Sequence, residues 1–484
     1  MRIYTYTKQI LVDTKTPIGL YLALRDQYCQ ALLLESSDYN SKNGHYSYIC
    51  LQPLAGIFLK DGKLRTKINS KMIEKAISTY SELLSELNIF KDQFNYEEID
   101  LPFCYAGLFG YTSYDIVKYI EEIDLKNEKQ FDIPQLFYNV YGIILVFDHQ
   151  TNSLNIISHH FSEERSKIQL EKVLLNLKTE KNSDFPFEMV EEETSLFSDN
   201  DFLDSVTKAK QNCQLGDVFQ LVISKRFEQK YKGDDLNVYR ALKNINPSPY
   251  LFYFDLGDFR LFGSSPEAQL VIKNGETEIH PIAGTYRKTG NDKVDIQKAN
   301  ELVNDPKENA EHIMLVDLAR NDLSKYCNNV EVKFLKQIQY YSHVIHLVSK
   351  IKGILKKTDP FDVLFGTFPA GTLSGAPKYK AMQLIQKYEP VSREYYGGCV
   401  GFISHNNDLN HTIMIRTFLS KDNVLYYQAG AGIVISSNAQ NELQEVKNKV
   451  SALKKAIQQA QNFNNIAEVN TETTANANLI LEEN

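Results

Sequence analysis

Short hydrophobic runs separated by polar residues dominate the first third of the chain. From residue 17 to about residue 160, segments such as ALLLES, YSYIC and YGIILVF have the length and composition of β-strands. Two stretches, near Lys71 to Leu87 and from Ser162 to Leu177, place their apolar residues at helical spacing instead. This part of the chain is therefore predicted to be mostly β-sheet with two amphipathic helices.

The pattern changes at three later places. From about residue 180 the sequence EKNSDFPFEMVEEETSLFSDN is acidic and polar, which is typical of a linker. Asp201 to Leu215 has the pattern of a helix that ends at Gly216. Beyond residue 458, Asn, Gln and Thr replace the hydrophobic periodicity and indicate a polar tail. The chain is predicted to be a mixed α and β protein. The predicted units are an N-terminal domain (1–180), a linker (181–200), a larger domain (201–458) and a C-terminal tail (459–484).

The composition excludes several classes of function. Hydrophobic residues at 43% and charged residues at 24% of 484 positions exclude a disordered or fibrous chain. The net charge of −8 argues against nucleic acid or an anionic membrane as a partner, because nothing concentrates positive potential. The six cysteines lack C-x-x-C spacing, so no zinc site or disulfide framework is predicted. No apolar run reaches the roughly 20 residues of a membrane helix, and MRIYTYTKQI lacks a signal core; we expect a cytoplasmic protein.

Two predicted helices carry paired carboxylates. Asp305-Pro306-Lys307-Glu308 has the form of a helix start, with Asp as the N-cap and Pro at the first helical position. Helical spacing then places Glu308 and Glu311 on one face. Such a pair suits a hard divalent cation, but a capping box would explain Glu308 equally well.

The second helix start is Ser437-Asn438-Ala439-Gln440, again with a capping-box pattern. Glu442, Glu445 and Lys449 fall on one face of this helix. On pattern alone, a solvated face with ordinary ion pairs is the more common interpretation of such charges.

Several glycine-rich segments could bring the backbone close to a ligand. Gly284-Thr285, Gly430-Ala431-Gly432 and the loop GTFPAGTLSGAPK are of this kind, although turns explain each of them as well. Arg416, inside IMIRTFL, is more informative, because a guanidinium in a strand interior implies an anionic partner. His346, in VIHLVSKIKG, is by itself typical of a structural histidine.

An ordered series of motifs connects these features. Between about Phe202 and Leu453 the chain contains, in this order, GDVFQLVISKRF, NPSPYLFY, GSSPE, HPIAGT, KENAEHIMLVDLARNDL, HLVSKIKG, FPAGTLSGAPK, YYGGCVGF, IMIRTF, QAGAGIV and ELQEVKNK. Together these motifs resemble the chorismate-utilising enzymes, and most closely the large subunits (component I) of anthranilate synthases. ALLLESS and GHYSYIC extend the resemblance into the N-terminal part. The resemblance implies an α+β fold with a β-sandwich core of two antiparallel sheets flanked by helices, in which the larger domain shares core β elements with the N-terminal part.

The resemblance also implies a reaction and a metal. The reaction is the Mg²⁺-dependent conversion of chorismate and ammonia to anthranilate and pyruvate, the first step of L-tryptophan biosynthesis. The metal ligands carry over to Glu311 and Glu445, with Glu308 and Glu442 in support. The ion would hold the ring carboxylate of chorismate, since Mg²⁺ prefers oxygen ligands.

Substrate-binding positions follow from the same motifs. Arg416 and Tyr396 would hold the enolpyruvyl carboxylate, because a guanidinium can bind a carboxylate through two hydrogen bonds. The residues that the resemblance assigns to substrate binding are Gly284, Thr285, Tyr396, Arg416, Gly430, Ala431, Gly432 and Lys449.

Three residues would carry the chemistry. Glu267 in GSSPE matches the general acid that protonates the departing C4 hydroxyl while ammonia adds at C2. His346 would help to remove the C2 proton as pyruvate leaves, and Thr372 would orient the substrate near that histidine.

Two positions separate the branches of the family. Isochorismate-forming members carry a water-activating lysine where this chain has Gln220, and aminodeoxychorismate synthases carry a nucleophilic lysine where it has Ala283. The absence of both indicates direct attack by ammonia. Aminodeoxychorismate synthase and a non-catalytic tryptophan-responsive subunit remain the alternatives. Tyr286 and the segment Asn410 to Thr412 depart from the family pattern and concern the shape of the pocket.

Regulation and partners are implied as well. LLES and NPSPYL resemble a feedback site for L-tryptophan, and the residues assigned to it are Glu35, Ser36, Pro249, Tyr250 and Leu251. No glutaminase signature is present, so ammonia from glutamine implies a separate glutamine amidotransferase subunit (component II), which we expect in a heterotetramer.

Overall fold

The computed structural model describes residues 1–37, 45–121, 123–178, 185–340 and 344–481. Its strands are β1 (Arg2–Leu11), β2 (Leu32–Glu35), β3 (Tyr46–Lys60), β4 (Lys63–Ile68), β5 (Lys71–Ala76), β6 (Asn95–Tyr96), β7 (Gly107–Thr112), β8 (Leu136–Asp148), β9 (Ser153–His160), β10 (Phe187–Met189), β11 (Gln220–Gly233), β12 (Tyr250–Asp255), β13 (Phe259–Ser265), β14 (Ala268–Lys273), β15 (Glu276–Ile279), β16 (Ile282–Arg287), β17 (Cys327–Tyr340), β18 (Val344–Leu355), β19 (Gly375–Ala376), β20 (Cys399–Ser404), β21 (Leu409–Ile413), β22 (Thr417–Lys421) and β23 (Val424–Ile433). Its α-helices are α1 (Pro17–Arg25), α2 (Tyr80–Asp92), α3 (Val117–Ile120), α4 (Glu163–Asn176), α5 (Asp199–Leu215), α6 (Leu236–Ile245), α7 (Asp292–Asn304), α8 (Pro306–Tyr326), α9 (Pro360–Thr367), α10 (Lys378–Tyr388) and α11 (Ala439–Leu481), and two short 3₁₀ helices span Tyr114–Ile116 and Gly371–Leu373. Within these ranges, no helix combines the length and the hydropathy that a membrane span needs.

Two antiparallel sheets meet at the long strands β3 and β8, which pair with each other. In the first sheet β2 pairs with β3, and the order continues β12, β13, β22, β23 and β11. In the second sheet β7 pairs with β8, and the order continues β20, β21, β14, β15 and β18. β16 and β17 also pair with β18. Because β2 and β7 come from the N-terminal part, each sheet contains strands from both halves of the chain.

Alternate side chains of β12 pack into two different hydrophobic clusters, one on each face of the first sheet. Leu251 and Tyr253 belong to the hydrophobic cluster that the first sheet forms with α5, α6 and α11. Phe252 and Phe254 belong to a second cluster, which also contains side chains of the second sheet. Successive residues of a strand face opposite sides of its sheet, so β12 separates a helix layer from the core between the sheets.

Helices also cover the second sheet. Buried side chains of α2, α8 and α9 form one cluster with residues of β14, β18 and β20. Two antiparallel sheets with helices on their outer faces make up the molecule, which confirms the predicted α+β architecture.

The segments predicted as a linker and a tail contain regular structure. Residues 181–184 lie outside the described residues, but β10 follows and pairs with β11. Thr194 forms a further antiparallel bridge with Glu228. At the other end of the chain, α11 continues without interruption past residue 458. The domain boundaries stay predictions, since strands on both sides of them share the same sheets.

Local helix signals were informative in most places. The helices predicted at Ser162 to Leu177 and Asp201 to Leu215 are α4 and α5, and Gly216 ends α5 in the left-handed region with φ +81°. The helix predicted near Lys71 to Leu87 is wrong in its first part, because Lys71–Ala76 forms an antiparallel hairpin with β4. α2 starts only after Thr79, where Thr79 and Glu82 form a reciprocal capping box.

Candidate active site

The start of α8 places Glu308 beside β16. The amide of Glu308 donates to Oδ1 of Asp305 at 3.0 Å, so the predicted N-cap is confirmed. A Cβ atom on Gly284 would lie 2.6 Å from Leu302 Cδ1 and 3.1 Å from Glu308 Oε2. Gly284 also has φ +72° at a bulge in β16. This position therefore requires glycine, and it brings the backbone of β16 against the Glu308 carboxylate.

Glu311, one turn further along α8, faces β11 and β23. Its Oε1 accepts a hydrogen bond of 2.6 Å from Nε2 of Gln220. A Cβ atom on Gly432 would lie 2.4 Å from that Nε2 and 3.4 Å from Oε1 of Glu311. The amide, the carboxylate and the glycine thus form one compact cluster.

The start of α11 differs by one residue from the prediction. The side chain of Asn438 accepts hydrogen bonds from the amides of Gln440 and Asn441, which makes Asn438 the N-cap. Ser437, the predicted cap, instead accepts from the amide of Val434 at 3.1 Å and closes the preceding turn.

The carboxylates of α11 approach the same end of β23. Glu442 is buried, while Glu445 is half-buried and pairs with Lys449 at 2.7 Å. Lys449 also donates to the carbonyl of Gly430 at 2.8 Å. Glu311 of α8 thus lies against Gly432, and Glu445 of α11 is linked through Lys449 to Gly430, two residues earlier in β23.

These carboxylates have the donor chemistry that a hard divalent cation needs. In the ranges that the structure describes, no three or more His, Cys, Asp or Glu side chains form a ready-made metal cluster. Mg²⁺ is usually held by one or two protein carboxylates together with substrate oxygens and water, so a pair of glutamates fits that mode.

Gly430, Ala431 and Gly432 lie in β23 and not in the turn that the sequence suggested. β23 pairs with β11 along its length but with β22 only as far as Tyr427. Beyond Tyr427, the edge of β23 that faces away from β11 has no strand partner in β22. On that edge the carbonyl of Gly430 accepts from Lys449, and the backbone of Gly430 also bonds the hydroxyl of Tyr396. Alternate residues of a strand direct their backbone groups to the same edge, so Gly432 faces the same way.

Glu267 lies between β13 and β14 and is only 7% exposed. Its Oε1 accepts a hydrogen bond of 3.1 Å from the hydroxyl of Thr372. Burial raises the pKa of Glu267 to about 8, although Thr372, the backbone of Ile282, and the charges of Lys449 and Arg416 act in the opposite direction. The carboxyl group therefore keeps its proton near pH 7.

His346 lies in β18, opposite Thr285, whose side chain is outside the described part of the structure. Nδ1 of His346 is 3.3 Å from the carbonyl oxygen of Gly284. A carbonyl can only accept, so Nδ1 is the donor and Nε2 is the basic nitrogen. Burial and the neighbouring Arg416 lower the pKa of His346 to about 4. The ring is thus neutral near pH 7 and able to take up a proton.

Arg416 lies between β21 and β22 and not in a strand interior, so the predicted placement is wrong. Its backbone is left-handed, with φ +49°, and its carbonyl accepts from the amide of Ser264 at 3.1 Å. Its Nη1 donates to Oδ1 of Asn246 at 3.3 Å. A left-handed non-glycine residue persists where its surroundings hold it in place, which is common at ligand sites.

Tyr396 is buried beside the same glycine segment. The backbone of Gly430 bonds its hydroxyl, and burial raises the pKa of Tyr396. The guanidinium of Arg393 lies 5.6 Å from the centre of its ring. The phenol is therefore a neutral hydrogen-bond donor close to Arg393, a residue that sequence reasoning missed although it stands three positions before Tyr396.

The residues assigned to tryptophan binding also come together. Glu35 at the end of β2 is the register partner of Leu251 in β12. Ser36 follows Glu35 and is buried. Pro249 and Tyr250 immediately precede Leu251, and both are half-buried. All five residues thus lie at one end of the β2–β12 pair.

Two residues of α6 bind the side chain of Glu35, and sequence reasoning missed both. Glu35 accepts from the hydroxyl of Tyr239 and from Nζ of Lys243, each at 2.6 Å. The two donors are four residues apart, and helical spacing places them on one face of α6. The spacing of Tyr239 and Lys243 is visible in the sequence, but the sequence does not show that this face of α6 packs against Glu35.

The departures from the family pattern lie in the core or at the rim. His411 is buried in β21, and its Nε2 bonds the hydroxyl of Tyr138 at 2.8 Å. Burial lowers the pKa of His411 to about 3. This histidine therefore packs the second sheet in its neutral form. Tyr286 follows Thr285 in β16 and is half-buried.

Comparison with known proteins identifies the family of the chain. The sequence profile of the chorismate binding enzymes matches residues 35–455. Anthranilate synthase component 1 of Aquifex aeolicus is 36% identical over 469 residues, which covers 94% of each chain. The corresponding protein of Bacillus subtilis is 36% identical over 478 residues, which covers 93% of this chain and 92% of the relative.

Solved structures show the same relationship. Anthranilate synthase component I of Streptococcus pneumoniae superposes with a TM-score of 0.76 at 32% identity, covering 92% of this chain and 99% of that structure. The menaquinone-specific isochorismate synthase of Escherichia coli reaches a TM-score of 0.74 at 19% identity over 94% of each chain, and so shares the fold. The chain therefore belongs to the chorismate binding enzymes and, among them, to the family of anthranilate synthase component 1.

Proposed function

We propose that this enzyme converts chorismate and ammonia to anthranilate and pyruvate in a Mg²⁺-dependent reaction, as the first step of L-tryptophan biosynthesis. The observation that carries the proposal is the environment of Gln220. Its amide donates to Glu311, a candidate metal ligand, at the position where isochorismate-forming relatives carry a water-activating lysine. A neutral amide cannot serve as the base that activates water, so ammonia, which needs no such base, is the nucleophile.

Two groups of residues would bind the two carboxylates of the substrate. A Mg²⁺ ion held by Glu311 and Glu445, with Glu308 and Glu442 in support, would bind the ring carboxylate of chorismate and offset its charge. Arg416 and the Tyr396 hydroxyl would bind the enolpyruvyl carboxylate.

Glu267 would supply the first proton. Ammonia forms a bond to C2, the ring double bonds shift, and the C4–O bond breaks. The proton of Glu267 passes to the departing hydroxyl, which leaves as water, and the ammonium group formed at C2 then loses a proton, which restores the acid form of Glu267. A pKa of about 8 keeps this proton on the carboxyl group at neutral pH, and the Thr372 hydroxyl holds the carboxyl in place.

His346 would accept the second proton. Its neutral Nε2 takes the proton from C2 while the C3–O bond breaks, and the released enolpyruvate takes up a proton to become pyruvate. The gain of an aromatic ring drives this step, so the residues around it mainly need to position the reacting atoms.

The reaction can be tested directly. The purified chain is mixed with chorismate, Mg²⁺ and an ammonium salt near pH 8, and anthranilate fluorescence is followed together with pyruvate release. We expect both products, and neither when Mg²⁺ is chelated. Chorismate consumption without pyruvate would identify an aminodeoxychorismate synthase instead. A folded chain that consumes no chorismate would favour the non-catalytic binding subunit.

L-Tryptophan is proposed as a feedback inhibitor that binds between β2 and the segment before β12. Support comes from the Glu35–Lys243 pair, which offers one carboxylate and one ammonium group to the two charged ends of a free amino acid. Inhibition by L-tryptophan in the same assay is expected. Equal rates at all tryptophan concentrations would contradict it.

A glutamine amidotransferase subunit is proposed as the source of ammonia, in a heterotetramer with this chain. The name component 1 of the relatives supports a second component. The chain alone should use ammonium salts but not glutamine. Glutamine-driven anthranilate formation by the pure chain would refute this proposal.

A further inference from the structure

A buried ion pair lies directly behind the walls of the site. Arg393 donates from Nε to Oε2 of Glu389 at 2.9 Å and from Nη2 to Oε1 at 2.6 Å. The two side chains are 1% and 3% exposed. A guanidinium bound by a carboxylate through two hydrogen bonds has its plane fixed, so its remaining N–H groups point in defined directions.

Those N–H groups reach two elements that line the site. Nη1 donates to the carbonyl of Leu373 at 2.5 Å, and Nη2 donates to the carbonyl of Val222 at 2.8 Å. Leu373 follows Thr372 in the short 3₁₀ helix Gly371–Leu373. Val222 is the register partner of Gly432. One guanidinium thus ties the turn that carries Thr372 to the strand beside the glycine segment.

The same residue supports Tyr396. The amide of Tyr396 donates to the carbonyl of Arg393 at 3.1 Å, and the guanidinium lies 5.6 Å from the centre of the Tyr396 ring. The partner carboxylate reaches further, because Glu389 accepts from the amide of Ser224 at 2.8 Å. Ser224 is the register partner of Gly430, whose backbone bonds the Tyr396 hydroxyl.

We propose that Arg393 is a positioning residue that holds Thr372 and Tyr396 in place across the site. Thr372 binds the acid Glu267, and Tyr396 belongs to the proposed substrate-carboxylate site, so Arg393 acts on both the proton donor and the bound substrate. The proposal rests on the proposed function and extends it to a residue that touches no substrate.

Lysine cannot replace this arginine. The contacts require several donors in one plane that point toward a carboxylate and two different carbonyls. An ammonium group is a compact charge with rotating donors, and it lacks the flat face that lies beside the Tyr396 ring. Arg393→Lys therefore keeps the charge opposite Glu389 but releases the links to Leu373 and Val222.

The test compares Arg393→Lys with Arg25→Lys. Arg25 forms a similar two-point pair with Asp234 at the end of α1, away from the site. Wild-type turnover is measured first, which decides the proposed function independently. We expect Arg393→Lys to lower kcat/KM for chorismate by about 10²-fold, with both kcat and KM affected, since small displacements at a reacting centre are costly. Arg25→Lys should stay within about twofold, because distant sites act independently.

The pH dependence separates positioning from a general loss of structure. Thr372 lowers the pKa of Glu267 through its hydrogen bond. Release of the Thr372 turn therefore raises that pKa, and the fall of kcat/KM at alkaline pH moves to higher pH in Arg393→Lys. Thr372→Val removes the same hydrogen bond directly and should cause the same shift.

Two results would overturn the proposal. One is an Arg393→Lys enzyme with wild-type kcat, KM and alkaline limb. The other is an Arg393→Lys enzyme that loses no more activity than Arg25→Lys and whose kcat/KM falls at the same alkaline pH as that of the wild type. If Arg393→Lys does not fold, Glu389→Gln replaces it, because this variant keeps the shape of the partner but loses the charge that fixes the guanidinium. The same shift of the limb is then expected in a milder form.

Discussion

The candidate active site and the site at the end of the β2–β12 pair each contain a buried glutamate, and the two glutamates have different surroundings. Glu267 is 7% exposed and Glu35 is 5% exposed, so burial hardly distinguishes them. Glu267 accepts from the neutral hydroxyl of Thr372, whereas Glu35 accepts from the ammonium group of Lys243 and the hydroxyl of Tyr239.

The difference lies in the nearest partner. Lys243 forms an ion pair of 2.6 Å with Glu35, and such a pair offsets the cost of removing a charged group from water. A hydroxyl offsets less of that cost, and the pKa of Glu267 is raised to about 8. Equal burial thus leaves one carboxyl group with a raised pKa and places the other in an ion pair.

Glu267→Gln tests whether Glu267 is the general acid, and it has the largest expected effect. The amide keeps the size of the side chain and can still accept from Thr372, but it has no acidic proton to give. We expect kcat to fall by about 10²- to 10⁴-fold, the usual contribution of a general acid, with little change in KM for chorismate. Steady-state kinetics at pH 7 measure this. A variant that keeps even a tenth of the wild-type kcat would show that another group protonates the leaving hydroxyl.

Glu311→Gln tests a carboxylate of a third kind, one that is half-buried and proposed to bind a cation. Its loss should weaken Mg²⁺ binding by about 10- to 100-fold, the range seen when groups around a metal are altered. Titration of the rate with Mg²⁺, together with calorimetric titration of Mg²⁺ in the absence of substrate turnover, measures the effect. An unchanged Mg²⁺ requirement would remove Glu311 from the proposed metal site.

The pH dependence of the rate tests whether the pKa of Glu267 is raised, as its burial indicates. If Glu267 carries the proton that the reaction needs, kcat/KM should fall above pH 8 by about tenfold for each further pH unit, provided that the concentration of unprotonated ammonia is held constant. His346, whose pKa is lowered to about 4, stays neutral throughout this range and adds no second limb. A profile that declines instead above pH 5 would mean that Glu267 ionises like an exposed carboxyl group.

Sequence reasoning found the parts of both pockets that local rules determine. The N-cap at Asp305 and the helical spacing of Glu308 and Glu311 depend on neighbours along the chain, and the structure confirms the cap. The register of β2 with β12, which joins Glu35 to Leu251, is a long-range pairing. Only the ordered motifs of the family placed those two residues in one pocket, because a single sequence does not specify which strands pair.

The errors share a physical cause. Arg416 was predicted within a strand, but β21 ends three residues earlier and the arginine adopts a left-handed backbone. Gly430 to Gly432 were predicted as a turn, yet β23 continues through them because β11 supplies partners. Arg393 was missed altogether, since its role depends on carbonyls 20 and 171 residues away in the chain. Strand ends and buried ion pairs depend on tertiary contacts, which residue patterns along the chain do not encode.

Glu35→Gln tests the other side of the comparison and has the smallest expected effect. The amide keeps the volume of the carboxylate but loses the charge opposite Lys243, so the pocket loses one charge-assisted hydrogen bond, which is worth about 1.5–3 kcal/mol. The tryptophan concentration that halves the rate should therefore rise by about tenfold or more. For each variant, the rate is measured at increasing tryptophan concentrations and is divided by the rate of the same variant without tryptophan. Lys243→Met, which removes the other charge of the pair, should raise that concentration as well. If neither variant changes the tryptophan response, the Glu35–Lys243 pair serves only to join β2 to α6, and the two buried glutamates differ in charge environment without differing in role.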